Sequence, residues 1–181
     1  MKVDIHAHLM GEEVPGKAFW DGFTRLAAVH TGRDEERIRQ RLPDIWDLTG
    51  ERLIADLDDA GVEKVMIMPV DWGLVPAFKE STVEIWEQHL IHAEVARQHP
   101  DRVITFACFD PRRSNAVQLL ERAVAELGAV GLKIHPAAGF FPNERMVYPM
   151  YEKAMELGIP VMVLLGLSLN PFTVATASRC T

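Results

Sequence analysis

The chain has 181 residues, 48% hydrophobic and 25% charged, with a formal net charge of −7. That length and balance suit a single globular domain with a sizeable core. The acidic excess, without a basic run interleaved with aromatics, argues against nucleic acid as a partner, and no apolar run approaches the ~20 residues of a membrane span.

The opening stretch, Met1 to Leu9, reads as a strand. Successive strand residues point to opposite faces, so Val3, Ile5 and Ala7 share an apolar face while Asp4, His6 and His8 share a polar one. Imidazoles two positions apart start roughly 6.6 Å from one another at the backbone. Both rings can then tilt onto one ion, with bonds of about 2.0–2.1 Å if it is zinc. The alternative is a pair of surface histidines on an edge strand beside a solvated Asp4. Lys2 leads directly into the strand rather than into an apolar signal segment, so no signal peptide is expected.

Residues 10–48 form a long insertion punctuated by Gly11, Pro15, Gly16, Gly32 and Pro43, with a charged helical stretch from Arg33 to Arg41. Its aromatics, Phe19, Trp20, Phe23 and Trp46, disfavour disorder. Two readings fit: a lid over a site, or an excursion whose tryptophans simply pack it onto the body.

From Thr49 an alternation of helix and strand sets in. Thr49 is a candidate cap for a helix carrying Leu53, Ile54, Leu57 and Ala60 and ending at Gly61. Val62 to Val70 is a strand. Thr82 to Gln98 is a helix with Ile85, Trp86, His89, Ala93 and Ala96 on one side, and its His89 and His92 read as ordinary helix residues. Arg102 to Asp110 is a strand, Asn115 caps a helix through Leu127, and Ala129 to Pro136 is a strand. Pro149 starts a helix ended by Gly158, and Pro160 to Gly166 is the fifth strand. Residues 167–181 then read as an irregular tail. Cys108 sits in an apolar run and reads as an inert core thiol; with Cys180 it is too little for a disulfide framework, which points to a reducing cytoplasm.

Near-continuous apolar strands separated by amphipathic helices indicate an α/β fold with a parallel sheet. A doubly wound open sheet and part of a (β/α)8 barrel both fit. No Gly-x-Gly-x-x-Gly follows the first strand, which weakens the nucleotide-binding version. The fourth strand repeats the logic of the first: Val130, Leu132 and Ile134 share one face, Lys133 and His135 the other, at the carboxyl end where such folds build their sites. A lysine on a covered face needs a partner. A substrate carboxylate, a base role or a metal ligand would supply one; a snorkelling lysine beside a rim histidine is the alternative. Asp71 and Asp110 close the second and third strands on the same side, as substrate contacts or as turn residues.

The segments VDIHAHL, HPDRVITFACFDP and GLKIHPAAGFFPNE, the last followed by a helix and LGIPVMV, together resemble the amidohydrolase superfamily. More narrowly, they resemble its amidohydrolase-related branch, which includes metal-dependent hydrolases and the aminocarboxymuconate-semialdehyde and resorcylate decarboxylases. The resemblance implies a partial (β/α)8 TIM barrel of about five β/α units and one divalent metal, often zinc. It implies His6 and His8 as metal ligands and Lys133 and His135 as its fourth-strand motif. Where the family's fifth strand ends in a ligating histidine, this chain has Leu164 and Leu165 before Gly166. The family's sixth-strand histidine and eighth-strand aspartate would fall beyond Thr181, so a truncated member is implied.

The resulting expectation is a metal-dependent hydrolase acting through a metal-activated water on a small carbonyl- or carboxylate-bearing substrate, with Lys133, His135 and Asp110 as catalytic or positioning residues. Asp110, Asp71 or His135 would stand in for the missing ligand. Non-oxidative decarboxylation at the same site is the second expectation. The third is an inactive fragment that associates through open sheet edges, consistent with a homo-oligomer.

Overall fold

In the computed structural model, the described residues are 1–76 and 83–164. Thr82, Leu165, Gly166, Cys180 and the 167–181 tail lie outside them. Five strand-forming stretches run in series, all parallel. They are β1 (Val3–Ala7), β2 (Lys64–Ile67), the pair β3 (Val103–Thr105) and β4 (Ala107–Cys108), β5 (Leu132–Ile134) and β6 (Val161–Val163). The third expected strand is broken in two. β3 pairs with β2 and β4 with β5, giving sheets of order β1-β2-β3 and β4-β5-β6. The break falls at Phe106, whose N–H donates to Ile67 O at 3.0 Å while the next N–H, of Ala107, donates to Gly131 O at 2.8 Å on the opposite flank. One stretch thus binds neighbours on both sides, and the array bends there.

Gly131 makes the bend possible. A Cβ at this position would lie 2.3 Å from Phe106 Cε2, a distance no side chain tolerates.

The helices are α1 (Lys17–Thr31), α2 (Glu35–Arg39), α3 (Glu51–Ala60), α4 (Ile85–Gln98), α5 (Ala116–Leu127) and α6 (Tyr148–Glu156). Two apolar clusters form between helices and strands. Leu57, Val65, Ile67, Val95 and Val103 build one; Phe109, Leu120, Leu132, Ile134 and Met150 anchor the larger. Each fully buried aliphatic or aromatic side chain contributes about 1.5–3 kcal/mol.

Several local expectations change. Thr49 Oγ1 accepts only the Glu51 N–H, at 3.4 Å, from one residue before the N-cap position at Gly50. Asp47 instead accepts from the N–H groups of Thr49, Gly50 and Leu53 at 3.0, 2.7 and 2.9 Å, because its carboxylate reaches three orphan donors at once. Asn115 stands at the start of α5 without a side-chain capping bond. α4 begins at Ile85 behind a Glu84–Glu87 capping box. Its buried face is Ile85, Gln88, His89, His92 and Val95, turned from the expected one so that two histidines face inward.

Burial of those histidines follows from their hydrogen bonds. His89 Nδ1 donates to Ile85 O at 2.7 Å and Nε2 accepts from Cys108 N–H at 3.0 Å. His92 Nδ1 donates to Gln88 O at 2.7 Å and Nε2 accepts from Leu9 N–H at 3.4 Å. Both rings are satisfied spacers between helix and strand, held neutral by burial, which pushes His89 down to about 3 and His92 to about 4. Burial likewise pushes the Cys108 thiol up to about 11, consistent with an inert thiol.

The 10–48 excursion contains a helix the sequence reading left out, α1, bounded by Gly16 and by Gly32 in the left-handed region. Trp20 is buried, donates Nε1–H to Gly11 O at 2.9 Å, and packs with Phe19, Phe23 and Trp46. On β1 the expected apolar face is not fully covered: Ile5 is 58% exposed. β1 pairs only with β2 among the described residues, and an end strand is flanked on one side alone.

Candidate active site

The alternation of β1 sends His6 and His8 to one side, with ring centroids 4.8 Å apart at 77°. Lys133 reaches them from β5. Its Nζ donates to His6 Nε2 at 2.8 Å and lies 3.5 Å from His8 Nε2. Three strands, β2, β3 and β4, separate β1 from β5 in chain order, so this contact exists only because the strands curl until their inner faces meet. Lys133 is fully buried, and burial lowers its pKa.

His8 is fixed from behind. Its Nδ1 donates to the Met68 carbonyl at 2.6 Å, leaving the Nε2 lone pair turned inward, the arrangement usual for metal-ligating histidines. Burial, aided by Lys133, pushes its pKa down to about 3. His6 is lowered for the same two reasons. Asp4, the third polar residue of this face, is exposed and accepts from His6 N–H at 3.0 Å, so it stays outside the cluster.

His135 leaves β5 two positions after Lys133 and is 8% exposed. Among the described residues neither of its ring nitrogens has a hydrogen-bond partner. The ring meets Trp72 edge to face, centroids 4.6 Å apart, and Trp72 in turn lies 6.1 Å from Phe19 of α1. Desolvation, with Lys133 and His6 nearby, pushes His135 down to about 3. Trp72 was not marked by the sequence reading; its position just after Asp71, past the second strand, was the available signal.

Asp110 follows the turn-residue alternative, its Oδ1 accepting the Arg112 N–H at 2.9 Å. Its carboxylate oxygens are taken by Arg112, through Nε at 2.9 Å and through a terminal nitrogen that also donates to Ala138 O at 2.8 Å. Asp71 is bound by Arg113 in the same forked way, and it accepts from Asp110 N–H at 2.8 Å. Arg112 and Arg113 escaped the sequence reading, although the run Asp110-Pro111-Arg112-Arg113 carried the signal. Beside this pair a cavity of about 190 Å³ is walled by Pro15, Asp71, Trp72, Gln88 and Arg113.

The donor set can be tested against a divalent ion. His6 and His8 fit, since two inward lone pairs converge on one point and one ring is locked in the required tautomer. The orphaned imidazole of His135 marks a polar need the protein itself leaves unmet. A complete set is missing: among the described residues no three His, Cys, Asp or Glu side chains gather as metal ligands. The stand-ins Asp110, Asp71 and His135 therefore do not join the pair, the two carboxylates because arginines hold them. Leu164 stands after β6, its N–H donating to Ile134 O at 3.1 Å, and its side chain offers no donor.

Parallel strands with such a cluster at their carboxyl ends define a class of α/β enzyme folds. The profile of the Amidohydrolase family matches residues 3–180, and the chain belongs to that family, in its amidohydrolase 2 branch. It is 30% identical over 138 residues to the 2-keto-4-carboxy-3-hexenedioate hydratase of Sphingobium sp. strain NBRC 103272 / SYK-6, covering 67% of this chain and 40% of that protein. Its fold is similar to 5-carboxyvanillate decarboxylase of Novosphingobium aromaticivorans, solved with manganese. There the TM-score is 0.68 at 20% identity, over 98% of this chain and 55% of the other. A dihydroxybenzoic acid decarboxylase of Polaromonas sp. JS666, solved with manganese and 2-nitroresorcinol, gives 0.60 at 19% identity, over 98% and 53%. The chain thus spans about half the length of these proteins or less. The likeness supports a mixed α/β fold with parallel strands, of the kind found in TIM-barrel amidohydrolases. No helix among the described residues is long and apolar enough to cross a membrane.

Proposed function

We propose that this chain carries the first-strand half of a divalent metal site and acts on a small carbonyl- or carboxylate-bearing molecule. The observation that carries the reading is the convergence of the His6 and His8 Nε2 atoms at one buried point. The ion, zinc in the first expectation and manganese in two similar structures, supplies Lewis acidity that polarises an oxygen and makes a water acidic near neutral pH. Lys133 and His135, on one face of β5, bind and orient the anionic or carbonyl group. His135 presents ring nitrogens that have no hydrogen-bond partner among the described residues, and a ligand can satisfy them. Trp72 and the α1 aromatics exclude water from one side, which makes the 10–48 excursion a wall of the site. Asp110 acts through Arg112, which holds the loop after β5 by the Ala138 carbonyl. The protein works on a small molecule rather than on nucleic acid or membrane, in the cytoplasm.

Hydrolysis by an activated water is the first reading. Non-oxidative decarboxylation is the second, favoured by the similar structures that are decarboxylases. In both, the same residues hold the carboxylate. Elemental analysis tests the shared part: a stoichiometric divalent metal lost in the His6→Ala/His8→Ala double variant supports it, and protein that stays metal-free at saturating zinc and manganese rejects it. Release of CO2, set against ester, lactone or amide cleavage, then separates the two reactions.

A further inference from the structure

Lys133 is 0% exposed, and among the described residues its Nζ has hydrogen-bond contact with two imidazole nitrogens and no carboxylate. A buried lysine normally has an anion beside it, because neutral acceptors repay only part of the lost hydration. Here the amine instead occupies the point on which the His6 and His8 lone pairs converge, at 2.8 and 3.5 Å. An ion held by the same lone pairs, at about 2.0–2.2 Å, needs the same space. Lone pairs donating to a metal cannot also accept from an amine.

On the reading of His6 and His8 as ligands, we propose that Lys133 is an internal competitor for the ion. Its Nζ lies against both lone pairs, and an ion bound to those lone pairs requires it to withdraw. The competition is for place, so it holds for ammonium and amine alike. The long side chain has the rotatable bonds to withdraw without moving β5. Along the same strand face His135 offers it an acceptor, and a substrate carboxylate offers a better one. Lys133 thereby joins the two halves of the site: what frees the metal position also delivers a cation to the substrate's anionic group.

The test is calorimetric titration of Mn2+ into the full chain after chelator treatment, comparing wild type with Lys133→Leu and His6→Ala. Lys133→Leu removes the competitor and fills its space with hydrocarbon. Its Mn2+ affinity is expected to rise about tenfold or more, the scale on which groups around a ligand set alter affinity, while His6→Ala loses binding. Lys133→Leu binding Mn2+ no more tightly than wild type overturns the inference alone, and weaker binding makes Lys133 a ligand instead. If neither protein binds Mn2+ or Zn2+, the metal reading falls and takes the inference with it. Should Lys133→Leu fail to fold, the Nζ resonance of Lys133 in wild-type protein decides: it must shift on saturation with Zn2+, and an unshifted resonance in a zinc-loaded chain overturns the competition.

Discussion

The carboxylate of Asp71 accepts the backbone N–H of Asp110 at 2.8 Å, locking the ends of two neighbouring strand segments together across 39 residues of chain. Arg113 closes the same carboxylate from the other side and Gly73 N–H donates to it as well, so four N–H groups from two loops meet on one buried acid that is 2% exposed. A forked guanidinium matches a carboxylate in geometry as well as in charge. Replacing Asp71 by Asn leaves Arg113 without its anion in a largely desolvated position. The expected loss is about 3 kcal/mol, within the range for breaking a buried pair, read as a lower urea midpoint at unchanged slope. A midpoint equal to that of wild type would mean the pair contributes nothing.

His89 and His92 predict the acid side of the stability curve. Burial depresses both, to about 3 and about 4 against 6.5 in the unfolded chain. The unfolded state therefore takes up protons that the folded state refuses. Stability is complete above pH 6.5 and falls as pH drops, the loss continuing until about pH 4 for His92 and about pH 3 for His89. Between those limits each ring contributes a slope of about 1.4 kcal/mol per pH unit. Urea titrations from pH 7 to pH 4 should show this loss, and His92→Leu, which cannot titrate, should flatten it. An identical slope in that variant would contradict the assignment.

His135 sets binding against stability. An imidazole with two unpartnered buried nitrogens carries an uncompensated desolvation penalty of about 1–3 kcal/mol. His135→Phe keeps the contact with Trp72 and removes the polar atoms. The melting temperature should hold or rise, while affinity for a carboxylate ligand drops at least about tenfold. A destabilised variant with undiminished ligand affinity would show the ring to be structural.

Gly131 tests the bend. Alanine there meets the Phe106 ring at 2.3 Å, and the overpacking should cost about 1–3 kcal/mol. The paired Phe106→Leu background, which clears the space, should recover much of that loss. No recovery would place the strain elsewhere.

Association is the last expectation. β1 and β6 each have one strand neighbour among the described residues, and Ile5 stands 58% exposed beside the first. Light scattering is expected to find a homo-oligomer, and Ile5→Lys, a charge on an open edge, is expected to shift it toward monomer. A clean wild-type monomer would refute this.

Much of the architecture was legible in the chain. Strand alternation from Val3 on to His8, just past the end of β1, put His6 and His8 on one face, and apolar runs such as Leu132–Ile134 marked covered parallel strands. Caps were less legible. Asp47 outcompetes Thr49 because a carboxylate reaches three amides at once, which depends on loop conformation rather than on residue type. The expected face of α4 held Ile85 and His89 but missed His92, whose burial depends on the Leu9 N–H just after β1, a partner distant in the chain.

By itself, the sequence determined which side chains travel together: period two on β1 and β5 couples His6 with His8 and Lys133 with His135, whatever surrounds them. Only the tertiary structure decided that these pairs meet. The meeting depends on how far the strands curl, and that is set by contacts between residues distant in the chain, such as Phe106 against Gly131. The same holds for Asp110, whose partners were settled by the turn that brings Arg112 back onto it. Alternation is a property of the local backbone, whereas convergence is a property of the whole packed core.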